Sequence, residues 1–169
     1  QEADRAVAAA KAAFQETYFD VAARSRVLLN VAQALRDNVE ELAEILVREN
    51  GKTLQGARDE ILWTVDIFVD AAEEAKRICG ETVCMPQPGL DKCTCYVRRE
   101  PVGVVAAITP FNFPLNLVAH KVAPALAAGN PVILKPALAT SVIAYKLCEI
   151  LLDAGVPKGF LSYLSGSGS

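Results

Sequence analysis

Apolar positions keep a helical rhythm as far as Gly80, and beyond it extended runs alternate with helical ones. Glu2 to Glu16 is Ala-rich and contains no breaker. Leu28, Val31 and Leu35 then recur at helical spacing, with Arg24, Arg26, Gln33 and Arg36 left for the wet side, and predict a second helix. Asn38-Val39-Glu40-Glu41 has the form of an N-cap with an acid three residues on, and Asn50-Gly51 is a stop signal. Between them, Val39, Leu42 and Leu46 form an apolar stripe. A longer helix is predicted from about Gln55 to Cys79, with Ile61, Val65, Phe68, Ala72 and Ala75 on one face and Gly80 available for the left-handed closing position. Trp63 falls off that stripe and is expected at a boundary with another element.

Beyond Gly80, Pro86, Pro88, Gly89 and Asp91-Lys92 mark a turn between two extended segments, Glu81–Met85 and Cys93–Glu100. A ribbon of two strands is marginal alone, so a partner sheet or subunit is expected. Val102 to Ile108 is a Val-rich run suited to a strand buried on both faces. A Pro-bracketed loop, a helix to Gly129, a strand over Pro131–Lys135, a helix over Ser141–Ala154 closed by Gly155, and a strand over Phe160–Leu164 follow. The three strands start 29 residues apart twice over, at 102, 131 and 160. That spacing fits βαβ units of a parallel sheet. The fold class is therefore α/β: a helical layer over 1–80, a β-ribbon over 81–100, and the first βαβαβ of a Rossmann-like sheet over 101–169. With three strands and a Gly/Ser-rich ending, Ser165 to Ser169, the chain is expected to be a fragment.

Composition narrows the function. Hydrophobic residues make up 52% and charged residues 22% of the 169 positions, which excludes a disordered chain. A formal charge of −3 gives no field for gathering phosphate backbones, so a nucleic-acid partner is not expected. The longest apolar stretch, Val122 to Leu134, is interrupted by Pro124, Gly129, Asn130 and Pro131 and suits no membrane span. The five cysteines, Cys79, Cys84, Cys93, Cys95 and Cys148, show no CxxC pair, and with one histidine they make no zinc set. They are expected to be reduced thiols acting as small hydrophobes in a cytoplasmic protein.

Open parallel sheets bind ligands at the C-terminal ends of their strands, which directs attention to loops 109–114, 135–141 and 165–169. In the first, Pro110 and Pro114 bracket Phe111-Asn112-Phe113, and Pro114 fits the first turn of the next helix. Asn112 then sits beside a helix N-terminus, either capping it or offering its amide to an anion. Lys135 ends a strand before Pro136, where it either reaches ribose and phosphate oxygens or snorkels to solvent. His120 has no acid or nucleophile beside it in sequence and is expected to pack or face solvent. Gly166-Ser167-Gly168 is a partial match to a phosphate-binding turn.

Several of these segments carry a resemblance. Pro101-Val102-Gly103-Val104-Val105, Ile108-Thr109-Pro110-Phe111-Asn112-Phe113-Pro114, His120-Lys121-Val122-Ala123-Pro124-Ala125-Leu126-Ala127-Ala128-Gly129-Asn130, Leu134-Lys135-Pro136 and Ala154-Gly155-Val156-Pro157 follow one another as in the aldehyde dehydrogenase superfamily. The similarity is dense from Arg98 to Gly168 and looser before it. The family oxidises aldehydes with NAD or NADP: a cysteine thiolate attacks the carbonyl, hydride leaves to the nicotinamide, and water activated by a glutamate releases the acid. The resemblance implies that Asn112 is the side-chain half of the oxyanion hole and that Lys135 holds the adenosine ribose. It places Ile108, Thr109, Pro110 and Phe111 along the cofactor channel and Gly166 and Gly168 at the adenine end. Phe113, Asn116, Leu117 and His120 would face the aldehyde entrance, with Lys121 in support.

Two departures from the family pattern matter. Many NAD-linked members carry a glutamate three residues beyond the ribose lysine; here that position is Leu138. Losing a carboxylate that would repel a 2′-phosphate leaves NADP open. The family's nucleophilic cysteine and general-base glutamate also stand in sequence that these residues do not match, so the chain alone is expected to be inactive. The resemblance further implies a small aldehyde or semialdehyde substrate and a dimeric or tetrameric parent, with the ribbon as its oligomerisation arm. A non-catalytic dinucleotide-binding module and a CoA-acylating relative are the alternatives.

Overall fold

The computed structural model describes residues 1–90 and 92–167. Four helices come first: α1 (Glu2–Glu16), α2 (Val21–Asp37), α3 (Val39–Asn50) and α4 (Leu54–Ala75). The predicted stripes are their buried faces, with Leu28, Val31, Leu35, Leu42, Leu46, Ile61 and Phe68 almost fully excluded from solvent. Burying each such side chain is worth about 1.5–3 kcal/mol, which exceeds the intrinsic helix preferences involved. α2 runs along α4, and α3 closes against α4. Asp20 caps α2 by accepting from the Ala23 N–H at 2.8 Å, and Thr53 caps α4 by accepting from Gly56 at 3.1 Å. Gly51 takes the left-handed conformation (φ 73°) that stops α3.

Two local expectations are corrected here. The Asn38 side chain does not cap α3; it donates back to the Ala34 carbonyl at 2.8 Å, closing α2 instead. α4 ends at Ala75 rather than Cys79, and Gly80 does not adopt a left-handed conformation. Gly80 is needed for a different reason: a Cβ there would collide with the Val97 carbonyl across the ribbon.

That ribbon pairs β1 (Glu81–Val83) antiparallel with β2 (Cys95–Val97), in register Glu81↔Val97. Gly89 (φ 86°) supplies a left-handed residue in the turn between them. Both strands are solvent-facing, and no third strand joins them among the described residues.

The second sheet is parallel, in the order β3 (Val105–Ile108), β4 (Val132–Lys135), β5 (Leu161–Tyr163). Its crossovers are α5 (Asn116–Ala127) and α6 (Ser141–Asp153), the latter preceded by a 3-10 turn over Leu138–Thr140. β3 begins three residues later than expected because Gly103 (φ 101°) bends the chain, its N–H donating to Asn130 Oδ1 at 3.0 Å. Nor is β3 buried on both faces: Ala107 is covered by helices, whereas Ala106 and Ile108 are exposed. Among the described residues it is an edge strand with one open face, while β4 between its neighbours is buried almost throughout. α5 and α6 end at Gly129 and Gly155, both left-handed, as the sequence suggests.

The two crossover helices share a device. Neither has a side-chain cap from its own N-cap residue, Leu115 or Thr140. Glu60 of α4 accepts from the N–H groups of Leu115 (3.0 Å) and Asn116 (3.1 Å) at the head of α5. Glu49 of α3 accepts from Val142 and Ile143, both at 2.8 Å, at the head of α6. Carboxylates placed on helix N-termini satisfy orphan donors and the helix dipole together. They also tie the four-helix part of the chain to the sheet. No helix among the described residues is long and apolar enough to cross a membrane.

Candidate functional site

Because β3, β4 and β5 are parallel, the loops that follow them emerge at one edge of the sheet. Lys135, at the end of β4, points its ammonium into the loop after β5 and donates to the Gly166 carbonyl at 3.1 Å. The structure thus joins two residues that the sequence marked separately. Thr109, just past β3, is buried, and its hydroxyl has no hydrogen-bond partner among the described residues. Around them Ile108, Pro110, Phe111 and Leu138 are exposed. Gly168 lies outside the described residues.

The loop after Thr109 is held from outside. Asn50 Nδ2 donates to the Phe111 carbonyl at 2.8 Å. The Phe113 ring sits between Lys52, whose Nζ lies 4.0 Å from its centroid, and Trp63, whose ring is 6.4 Å away. Trp63 is therefore at a boundary, as its position off the stripe suggested. Glu60, with no exposed surface, completes the arrangement: one carboxylate oxygen takes the two α5 amides and the other pairs with Lys52. Pro114 is correspondingly not in the first turn of α5 but two residues ahead of it. Asn112, between Phe111 and Phe113, is exposed and does not cap α5. The capping alternative for Asn112 is corrected, because Glu60 already occupies the donors it would have used.

From the sequence Asn50 stands out only as part of the Asn50-Gly51 stop, and Glu60 and Lys52 do not stand out. A signal for Glu60 was present: it falls within the buried repeat Ala57, Ile61, Thr64, Val65, Phe68, where a carboxylate must have a partner. Nothing local marks the contacts of Asn50 and Lys52 with this loop, since Phe111 and Phe113 lie about sixty residues away in sequence.

Along α5, Asn116 and Leu117 are half-buried and His120 is exposed, one turn apart on the helix that Phe113 precedes. His120 borders a cavity of 330 Å³ between α4 and α5, together with Ile67, Asp70, Ala71 and Pro124. Lys121 is exposed next to it and forms no bond to Asn112. A second cleft, of 450 Å³, lies at the opposite end of β4, near Arg24, Arg98 and Gly129, and contains none of the predicted residues.

The cysteines stand apart from this edge. Cys79, Cys84 and Cys93 are exposed and Cys95 is half-buried, so only Cys148, inside α6, is a buried hydrophobe as expected for all five. Burial pushes the Cys148 thiol up to about 12, with Glu149 acting in the same direction. Tyr163, at the end of β5, is also pushed upward by burial while its hydroxyl donates to the Ser141 carbonyl at 3.0 Å.

Known proteins share this arrangement. The chain is 48% identical over 167 residues to the 3-sulfolactaldehyde dehydrogenase of Priestia megaterium, an alignment covering 98% of this chain and 35% of that protein. Among solved structures, aldehyde dehydrogenase 21 from Physcomitrella patens, in complex with the reaction product succinate, superposes with a TM-score of 0.93 at 41% identity, covering 99% of this chain and 35% of that one. The NADP-dependent glyceraldehyde-3-phosphate dehydrogenase from Bacillus halodurans, complexed with NADP, gives 0.93 at 38% identity, over 99% and 36%. The chain thus spans about a third of the length of the relatives it matches. The model of the aldehyde dehydrogenase family matches residues 1–169, from the first helix to the loop after the third parallel strand, and the chain belongs to that family.

Proposed function

We propose that residues 1–169 form the cofactor-side part of an NAD- or NADP-dependent aldehyde dehydrogenase that oxidises a small aldehyde or semialdehyde to its acid, with Asn112 donating to the oxyanion. One observation carries this reading: Asn112 is free of the capping role, because Glu60 caps α5 in its place. Its side-chain amide is left available at the head of a helix. A donor fixed where negative charge develops on the carbonyl oxygen lowers the barrier without reorganising during the reaction.

The loop edge fits a dinucleotide. Thr109 offers a buried hydroxyl without a partner, and the Lys135 ammonium has donors beyond the one given to Gly166. Lys135, Thr109 and Gly166 would hold the group, with Ile108, Pro110 and Phe111 beside it. When bound, it supplies the acceptor for the hydride that leaves the substrate carbon. Leu138 is exposed and carries no charge to repel a 2′-phosphate, and the Bacillus halodurans relative is NADP-dependent. NADP is therefore expected to serve at least as well as NAD. Titrating both cofactors checks this, and a large NAD preference overturns it.

Phe113, Asn116, Leu117 and His120 line the aldehyde side in this reading, beside the cavity between α4 and α5. The named relatives act on sulfolactaldehyde or glyceraldehyde-3-phosphate, or bind succinate as product, which supports a small substrate. None of the five cysteines is assigned as nucleophile, and the exposed ribbon is assigned to contact another subunit of a dimer or tetramer. The nucleophile and the general-base glutamate belong to sequence outside these residues, so residues 1–169 alone are expected to turn over no aldehyde.

In the full-length protein, Asn112→Ala is expected to lower kcat by ~10²–10³ while cofactor affinity is unchanged. Steady-state kinetics with cofactor-binding titrations make the test. An unchanged kcat overturns the assignment.

A further inference from the structure

Three side chains from the α3–α4 junction close on the segment around Asn112 from both sides. Upstream, Asn50 Nδ2 fixes the Phe111 carbonyl at 2.8 Å. Downstream, Glu60 fixes the amides of Leu115 and Asn116 at 3.0 and 3.1 Å. Lys52 pairs with Glu60 and covers the Phe113 ring at 4.0 Å. Asn112 itself takes no part. A loop bracketed by two prolines still has free dihedrals at Phe111, Asn112 and Phe113. The bonds from Asn50 and Glu60 fix the backbone on either side of that segment without touching the amide that is to act.

A cap alone would not need this construction. Helix heads are commonly capped by a residue of their own turn at little cost. Here a carboxylate is taken out of water, and a lysine with only 14% of its side chain exposed is set against it. Removing a charge from water is costly unless its partners are fixed. An ion pair of this kind is well suited to defining one geometry rather than adding stability.

We infer that Asn50, Lys52 and Glu60 are positioning residues for the oxyanion donor: they set where the Asn112 amide points, and act on the reaction only through it. The inference rests on the reading of Asn112 given above. Displacing a catalytic group by about 1 Å costs up to ~10²-fold in rate, so fixing the loop from a separate element has a measurable consequence.

The test is a pair of double-mutant cycles in the full-length protein. Glu60→Gln and Asn50→Ala are each made alone and together with Asn112→Ala, and kcat, aldehyde KM and cofactor affinity are measured. Glu60→Gln keeps an oxygen for the two amides but loses the charge that holds Lys52. Asn50→Ala removes one bond at the surface and guards against a folding defect. Alone, Glu60→Gln is expected to lower kcat about 10-fold or more and Asn50→Ala about 3- to 10-fold, with cofactor affinity unchanged. In the Asn112→Ala background each is expected to cost less than about 2-fold, because the group they position is gone. Equal losses in both backgrounds, or no loss of kcat in either single variant, overturn the inference. If Asn112→Ala alone leaves kcat unchanged, the oxyanion assignment itself fails, a result read from a different variant.

Discussion

The heads of α5 and α6 are two solutions to one problem. Each helix follows a parallel strand, each lacks a cap from its own turn, and each receives a glutamate from the preceding helices. At α6, Glu49 is half-buried, gives one oxygen to each of two amides, and pairs with no lysine or arginine among the described residues. At α5, Glu60 is fully buried, serves both amides with one oxygen and holds Lys52 with the other. Water can substitute for the first carboxylate but cannot reach the second. A carboxylate from a preceding helix is thus an exchangeable cap in one place and a fixed part of the structure in the other, and the fixed one lies beside Asn112.

The sharpest way to break this contrast is to delete each carboxylate. Glu60→Ala strands a half-buried lysine and two amides and is expected to destabilise the fold by about 3–5 kcal/mol. Glu49→Ala is expected to cost about 0.5–2 kcal/mol, an ordinary lost cap. Urea denaturation of the two variants compares them directly; equal losses would show that burial makes no difference here.

Cys148 reports on whether the α6 cap acts locally. Its thiol, pushed up to about 12 by burial within α6, is expected to resist alkylation at mild pH until the helix opens. Glu49→Ala should speed that labelling by about 10-fold if α6 opens on its own. Time-resolved alkylation with mass spectrometry measures it, and an unchanged rate would make α6 inseparable from the whole fold.

Thr140 gives a smaller test. It sits at the N-cap of α6, where its hydroxyl would normally cap, yet that hydroxyl is buried without a partner. With Glu49 in its place, Thr140→Val is expected to change stability by no more than about 0.5 kcal/mol, or to raise it. A loss near that of Glu49→Ala would show that Thr140 shares the capping.

The smallest effect belongs to a third glutamate facing α4. Arg58 donates to both Glu40 oxygens, and this hydrogen bonding holds the carboxyl below the usual carboxylate range. A carboxyl with a lower pKa folded than unfolded adds stability above its unfolded pKa and loses it as pH falls through the folded value. The wild type should therefore exceed Glu40→Gln slightly at neutral pH, with the gap closing in acid. Urea midpoints at neutral pH and near pH 3 check the sign, and a gap that widens in acid contradicts it.

Much of the fold was legible because its signals are local. The stripes at Leu28–Leu35 and Ile61–Ala75, the stops at Gly51, Gly129 and Gly155, and the repeated strand spacing depend on neighbours within a few residues. The errors fall where a distant group decides. Local sequence marks Gly80 as a helix stop because the Val97 carbonyl, seventeen residues on, is invisible locally. β3 was read as doubly buried because its Val-rich sequence does not say that it lies at the edge of the described sheet.

The same division runs through the site. Sequence by itself determined the parallel α/β plan and the family, because periodicity, turn residues and motif order are written along the chain. Tertiary structure alone decided that Lys135 meets Gly166, that Asn112 is released from capping, and that Asn50, Lys52 and Glu60 surround the loop that carries it. Those outcomes depend on which buried groups find partners across tens of residues. Burial sets that requirement, since a carboxylate in the interior must be satisfied by whatever the fold brings to it.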